Sequence, residues 1–339
     1  MNKPIDIVIP WVDGNDSNWI EEKKTWSYKS ALSISDDCNS QIRYADWDNL
    51  KIWFRSIEKC LPWIDHIFFI TWGHIPKFLK TDNPKLRIIK HDDYIPDAYL
   101  PTFNSNTIEM NTWRIKELSD SFILFNDDSF VLEPLEINYY FKNNMVCDES
   151  IETPIMPVDV GSVSEYACHT KANNIILLNK HFNKRQVQQR YHDLWFSPVY
   201  GDLLERNERL SYWNNFCGFH DPHLPNAIKK STMKAVWEAE YEALDAASKN
   251  RFRSHNDISW FLVRYWQFCT GDFVPRRALG KNLLITDDNY KEIADIIRNR
   301  QYPVICLSEA FDMNRFDEIK ETINSAFESI FPEKSSFEL

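Results

Sequence analysis

Apolar runs punctuate the first 135 residues, each stopped by a polar or turn-forming cluster. Ile5-Asp6-Ile7-Val8-Ile9-Pro10, His66-Ile67-Phe68-Phe69-Ile70-Thr71-Trp72 and Leu86-Arg87-Ile88-Ile89-Lys90 are rich in β-branched and aromatic residues and read as strands. Phe122-Ile123-Leu124-Phe125 does not alternate with polar residues, which predicts a central strand covered on both faces. Helical patterns separate these runs. Residues 17 to 33 read as a helix and 34 to 42 as a loop rich in Ser and Asp. From Arg43 to Cys60, Leu50, Trp53, Phe54 and Ile57 recur at helical spacing, with Asp46 near the start. A polar stretch from Leu100 to Glu109 enters another helix, which returns to the central strand through Arg114 and Ile115. Strands separated by helical segments predict a parallel α/β sheet.

The central strand runs directly into Asn126-Asp127-Asp128. In an extended segment residues i and i+2 share a face, so Asn126 and Asp128 should point one way and Asp127 the other. Oxygen donors at the end of a sheet strand suit Mg²⁺ or Mn²⁺, which commonly bridge protein carboxylate and substrate phosphate. Asn and Asp are equally the common residues of turns, and both readings stand on the sequence. The same choice arises after the first strand. Asp13 before Gly14 is a turn signal, while Trp11 beside an acid at a strand's end is also a way to hold a base and ribose.

The chain has 339 residues, 43% hydrophobic and 14% aromatic, enough for a large core with disorder expected only at the tail. A net charge of -11 without a long basic run argues against a nucleic-acid partner. No apolar segment has the length of a membrane span, and Met1 to Asp6 lacks a signal-peptide stretch, so a cytoplasmic location is expected. Seven cysteines, odd in number and widely spaced, read as reduced and mostly buried thiols. Only seven glycines occur, and they assemble neither a Walker loop nor a dinucleotide fingerprint. A bound phosphate would therefore rest on metal, Arg, His or helix N-termini.

In the second half, Pro225 reads as a first helical residue of a helix through Leu244, placing His220 and His223 just before its N-terminus. Ser254 and Asp257 have capping-box spacing before the apolar face Ile258, Phe261, Leu262, Tyr265 and Trp266, so Arg253 should precede a second N-terminus. Two such ends would make an anion site if they converge. The alternatives are a cap for Asp257, an ion pair for Arg43, Arg55 or Arg253, and a structural hydrogen bond for each histidine. Residues 183 to 217 are rich in Arg, Gln, Trp and Tyr, suited to stacking on sugars or to a small hydrophobic core.

Trp11-Val12-Asp13-Gly14, Arg43 through Arg55-Ser56-Ile57-Glu58, Pro62-Trp63-Ile64, Leu100-Pro101-Thr102-Phe103, Ile108-Glu109 and Asn126-Asp127-Asp128 together resemble the first two conserved regions of the Stealth family. His220-Asp221-Pro222-His223 and Arg253 with Asp257 resemble its third region, and Pro303-Val304-Ile305-Cys306-Leu307 its fourth. Three departures stand out. Ser308-Glu309 replaces an Asn-Asp pair, Asn111 and Trp113 stand where histidines are frequent, and Asn49-Leu50-Lys51 replaces Glu-Leu-Arg.

The family includes bacterial capsular polysaccharide phosphotransferases and the catalytic subunit of the lysosomal-enzyme N-acetylglucosamine-1-phosphotransferase. The resemblance implies an α/β, GT-A-like nucleotide-sugar-transferase sheet flanked by helices. One catalytic domain is expected over 1–339, with a nucleotide- and metal-binding half (1–135), a mostly helical variable insertion (136–219) and a completing half (220–339). It implies transfer of a sugar-1-phosphate from a UDP-sugar to a glycan hydroxyl, with release of UMP, by an enzyme that could be peripheral to the membrane. Asp128, with Asn126 or Asp127, would hold Mg²⁺ or Mn²⁺; Arg253 would neutralise phosphate oxygens; His220 would take the acceptor's proton. Trp11, Asp13, Gly14, Arg43, Glu109 and Arg114 are the candidates for the nucleotide side. A glycosyltransferase releasing UDP and a non-catalytic glycan- or nucleotide-binding module are the alternatives.

Overall fold

The computed structural model describes residues 3–30, 47–158, 163–310 and 313–339. Eleven strands lie among them: β1 (Ile5–Pro10), β2 (Ile67–Thr71), β3 (Leu86–Lys90), β4 (Ser121–Leu124), β5 (Ser129–Val131), β6 (Phe141–Lys142), β7 (Met145–Asp148), β8 (Asn226–Lys229), β9 (Phe273–Pro275), β10 (Gly280–Ile285) and β11 (Val304–Glu309). The principal sheet has the order β3-β2-β1-β4-β8, parallel except for β8. This is the parallel α/β sheet expected, and its four parallel strands are the four apolar runs of the first half. Continuous apolar character follows from burial on both faces: Ile7, Val8, Ile9, Phe122 and Ile123 are all fully buried.

Two smaller sheets extend this core. One has the order β10-β11-β5 and the other β6-β7-β9. β4 and β5 are separated only by residues 125 to 128, so the Asn126-Asp127-Asp128 stretch is where the chain leaves one sheet and enters the next. Helix Leu50–Cys60 packs Trp53, Phe54 and Ile57 into the core, as the periodicity predicts, beginning at Leu50 with Asn49 making no side-chain cap. Asp46 and Arg43 lie outside the described residues.

Several expectations need correction. The segment after Pro225 is the strand β8, followed by helices Lys230–Ala239 and Tyr241–Ser248, so His220 and His223 do not precede a helix N-terminus. Strand pairing outweighs the local proline signal here: all four β8 residues are buried against β4, and the Lys229 ammonium reaches Ser121 Oγ at 2.9 Å and Asp120 at 2.9 Å. The tail is packed and not disordered. Phe337 is buried, and Glu338 forms a fork with Arg55 (2.6 and 2.8 Å), the ion pair weighed for that arginine. The six described cysteines are free thiols, four of them buried, and Cys38 lies outside the described residues. No helix among the described residues is long and apolar enough to cross a membrane.

Residues 163 to 210 are helical, comprising Val163–His181, Lys184–Arg190, His192–Trp195, a 3-10 segment Pro198–Leu203 and Leu204–Leu210. Trp195, Tyr200 and Phe216 are buried, so much of the aromatic content of 183–217 forms a hydrophobic core, while Tyr212 and Trp213 are exposed.

Candidate functional site

From β1 the chain moves outward to β2 and β3, then returns to place β4 on the other side of β1. The strand order thus reverses between β1 and β4, and the crevice at the carboxyl ends of such a pair is where open α/β sheets bind ligands. The loop 11–16 and the turn 125–128 leave the sheet there side by side, with Val8 paired to Leu124 and the Phe125 amide bonded to the Val8 carbonyl.

On the β1 side, Trp11 stacks on Phe69 with centroids 5.5 Å apart and meets His74 edge-on at 5.2 Å. The Asp13 amide donates to His74 Nε2 at 2.7 Å, which leaves the ring proton on Nδ1, facing Asp16 at 3.6 Å. Burial lowers the His74 pKa against the pull of Asp16 and Asp13. Asp13 Oδ1 accepts from the Asn15 amide across Gly14, so the turn role foreseen for this loop is real, and it leaves Trp11 half-buried at the crevice.

On the β4 side, the Ser129 amide bonds to the Asn126 carbonyl, so the acidic cluster is also a turn. Asp127 is exposed; Asn126 and Asp128 are half-buried and share one neighbour, His223. Asn126 Nδ2 lies 3.5 Å from His223 Nε2, and donor atoms of Asp128, His223 and Cys306 all lie within 4.8 Å of one another. Burial, with Asp128 alongside, pushes the Cys306 thiol well above its ordinary pKa, which disfavours a thiolate ligand. Asp128, Asn126 and His223 are left as the donors. A carboxylate with an amide oxygen beside it is the hard-oxygen chemistry that Mg²⁺ or Mn²⁺ takes, so the residues suit the ion that the sequence suggested.

The segment 220–224 connects this turn to a second feature. His220 Nδ1 lies 2.7 Å from Glu149 Oε1, and the Ala278 amide donates to Glu149 Oε2 at 3.0 Å. Burial tends to raise Glu149, but the hydrogen bonds from His220 and Ala278 and the charge of Arg264 outweigh it and hold the carboxyl below its usual range. An ionised Glu149 accepts the Nδ1 proton of His220 and leaves Nε2 as the basic atom. Beneath, the fully buried Arg264 forks onto Asp148 (2.7 and 2.9 Å), bonds Asp221 at 2.8 Å and donates to the His220 carbonyl at 3.0 Å; Tyr265 donates to Asp221 at 2.6 Å. Glu149, Asp148 and Arg264 were not foreseen in the sequence.

Arg253 stands on a loop against residues 102–109. Its Nη2 donates to Ser105 Oγ at 3.2 Å, Phe103 stacks on Phe252 at 5.2 Å, and the Phe103 amide bonds the Arg251 carbonyl. The foreseen second N-terminus is not there, because the helix begins at Phe261. Asp257 does bond the Ser254 amide, but its buried carboxylate also accepts from Asn104, Asn106 and Asn250, so it ties three segments together. Arg253 makes no ion pair within 4.0 Å among the described residues, which leaves the weighed ion-pair alternative without a partner there. Its charge is felt by Glu109, whose carboxyl burial pushes up to about 7 despite that cation.

Arg114, a candidate for the nucleotide side, has its guanidinium over Trp113 (4.5 Å) and Trp237 (4.8 Å) and donates to Asn111 at 2.9 Å. The departures at Asn111 and Trp113 thus serve packing in this chain. Glu309 accepts from Trp47 Nε1 at 2.8 Å at the end of β11.

The family model for Stealth protein CR1, conserved region 1, matches residues 3–30, and that for CR2, conserved region 2, matches residues 43–148. The capsular polysaccharide phosphotransferase WcwK of Streptococcus pneumoniae is 39% identical over 335 residues, covering 98% of each chain. The exopolysaccharide phosphotransferase cps2G of Lactiplantibacillus plantarum is 34% identical over 98% of this chain and 96% of its own. The receptor polysaccharide phosphotransferase WefC of Streptococcus gordonii is 31% identical over the whole of both chains. Among solved structures, the galactosyltransferase LgtC in complex with donor and acceptor sugar analogs aligns with a TM-score of 0.37 and 10% identity, covering 94% of this chain and 95% of that one. With near-complete coverage at these identities, the chain belongs to the Stealth family of polysaccharide phosphotransferases.

Proposed function

We propose that the protein transfers a hexose- or N-acetylhexosamine-1-phosphate from a UDP-sugar to a hydroxyl of a glycan, releasing UMP, in the synthesis of a capsular or surface polysaccharide. The observation that supports this reading is the loop 220–224, in which His220 pairs with Glu149 and His223, three residues on, lies beside Asn126 and Asp128. A proton acceptor beside a cation-type site is what attack of a hydroxyl on a diphosphate calls for.

Asp128, with Asn126 and His223 alongside, would hold Mg²⁺ or Mn²⁺, and that ion would supply neutralising charge to the diphosphate. His220 Nε2 takes the proton of the acceptor hydroxyl as its oxygen attacks the phosphorus bonded to the sugar, and Glu149 steadies the resulting imidazolium. The phosphorus–oxygen bond to UMP breaks in line with that attack. Arg253, pinned by Ser105, neutralises phosphate oxygens as charge redistributes. Trp11 offers its face to the base, and the 11–16 loop the remaining nucleotide contacts.

Incubation with UDP-N-acetylglucosamine and related donors, a glycan acceptor and Mg²⁺ or Mn²⁺ tests the proposal. UMP, together with a phosphodiester in the acceptor product seen by phosphorus NMR, is the expected result. UDP as the nucleotide product would make the protein a glycosyltransferase. Donor binding without any product would make it a binding module.

A further inference from the structure

Helix Val163–His181 carries Glu165 and His169 one turn apart, so both side chains share a face. One turn on, Asn173 Nδ2 donates to the backbone carbonyls of His255 (2.7 Å) and Asp257 (3.0 Å). The same helix face therefore holds the 251–257 loop, and it brings His255 onto the first two residues. His169 Nε2 and His255 Nε2 lie 3.7 and 3.5 Å from Glu165 Oε1. The two imidazoles stack with centroids 4.2 Å apart, and all three donor atoms lie within 4.8 Å of one another.

Tetrahedral coordination with bonds of about 2.0–2.1 Å requires donors roughly 3.3–3.4 Å apart. The separations of 3.7 and 3.5 Å are within a few tenths of an ångström of that without rearrangement of the backbone. Two imidazoles and one carboxylate form a borderline donor set that suits Zn²⁺ better than Mg²⁺. Both rings are about half exposed, at 46% and 48%, so an ion can enter and a water can complete the shell. A simple pair of surface salt bridges accounts for the acid with either ring, but it gives no reason for two potentially cationic rings to stack on each other. A shared divalent ion does.

We propose that Glu165, His169 and His255 form a second divalent-metal site, of the Zn²⁺ type, that clasps the 251–257 loop to helix Val163–His181. The site is separate from the Asp128 turn, and it does not depend on the proposed reaction. Because Arg253 stands two residues from His255, an ion here also fixes the base of the loop on which that guanidinium is carried.

Metal binding by the full chain, freed of metal with a chelator and titrated with Co²⁺ and with Zn²⁺, tests the assignment. Bound Co²⁺ is expected to give the visible absorption of a four-coordinate nitrogen and oxygen site, without a thiolate charge-transfer band and unchanged in Cys306→Ser. Competition with a chromogenic chelator should show Zn²⁺ affinity falling by at least about 10–100-fold in His169→Gln and in His255→Gln, since even outer-shell partners carry that much. Unchanged Zn²⁺ affinity in either histidine variant overturns the proposal. So does a charge-transfer band that vanishes in Cys306→Ser, which assigns the ion to the Asp128 cluster. If His255→Gln disturbs folding by circular dichroism, Glu165→Gln and His169→Gln on the helix face carry the same test: retained affinity in either refutes the site.

Discussion

Asp128 is the side chain whose charge matters most to the proposed reaction. Replacing it with Asn removes a carboxylate donor at little change in volume. Asp128→Asn should therefore stay folded while the barrier rises by about 2.7–4 kcal/mol, the usual loss for one preorganised electrostatic contact. Initial rates across a metal titration check this, and near-normal turnover would reduce Asp128 to a turn residue. His220 and Glu149 should behave as a unit. His220→Ala is expected to lower turnover roughly 10²–10⁴-fold with donor affinity nearly intact, and Glu149→Gln to lower it too, because the amide no longer fixes the Nδ1 proton. Arg253→Ala should instead weaken donor binding and rate together, with Arg253→Lys restoring only part, as calorimetry beside initial rates would reveal. Glu109 adds a pH signature. Its folded-state pKa is raised to about 7 from an ordinary 4.5, so the folded protein holds the proton more tightly and loses stability as pH rises between those values. Glu109→Gln should flatten that fall in melting temperature, and an unchanged slope would remove Glu109 as its source. Asn126 and Asp128 were nominated by strand-end geometry, and His220 by the family resemblance of His220-Asp221-Pro222-His223. Glu149 was not, since its partner is 71 residues away and no periodicity marks an acid that follows a short buried strand.

At the scale of elements, the misread segments are those where a local signal competes with a neighbour distant in sequence. Pro225 is a sound helix-start residue, yet pairing of Asn226–Lys229 with β4 decides the outcome. Ser254 and Asp257 form the hydrogen bond of a cap, but the same carboxylate is claimed by Asn104, Asn106 and Asn250, and the chain stays a loop until Phe261. The four strands of the first half were legible because burial on both faces forces unbroken apolar runs. What those strands do not specify is how the His220 loop is seated. Part of the answer is Gly218, at φ 141°, beside the isolated bridge between Glu152 and Phe219. A Cβ there would collide with the Thr153 carbonyl and meet the Ile155 side chain at 2.9 Å. Gly218→Ala should cost roughly 1–3 kcal/mol of stability and also reduce turnover, because the shift passes directly to His220 two residues on. Denaturant melts paired with initial rates test both halves; full stability and rate would show the bridge to be dispensable.

For the whole molecule, the helical stretch 184–210 holds the segment that carries Glu149. Its side chains bond the backbone of 150–152, the residues that follow Glu149. Asn207 accepts from the Glu152 amide at 2.7 Å and donates to the Ser150 carbonyl at 2.8 Å, and Tyr200 reaches Ser150 Oγ at 3.0 Å. Lys184, fully buried, meets the fully buried Glu152 at 2.8 Å, with Gln188 donating to the same carboxylate at 2.8 Å. Burial raises the Glu152 pKa even against Lys184 and Gln188, so this pair is costly to desolvate and is held together by its geometry. Removing one partner leaves the other charge stranded in the interior. Lys184→Met is accordingly expected to destabilise the protein by about 3–5 kcal/mol, whereas Lys184→Met with Glu152→Leu should recover most of that loss by replacing both charges with packed apolar groups. If the helical stretch 184–210 serves to hold Glu149 in place, the double variant should also regain turnover, since Asn207 and Tyr200 still grip the backbone of 150–152. Unfolding free energies and rates for the two variants decide it: a double variant as unstable as Lys184→Met would mean that the pair specifies the local packing, and stability without turnover would separate the packing of the helical stretch from its support of His220.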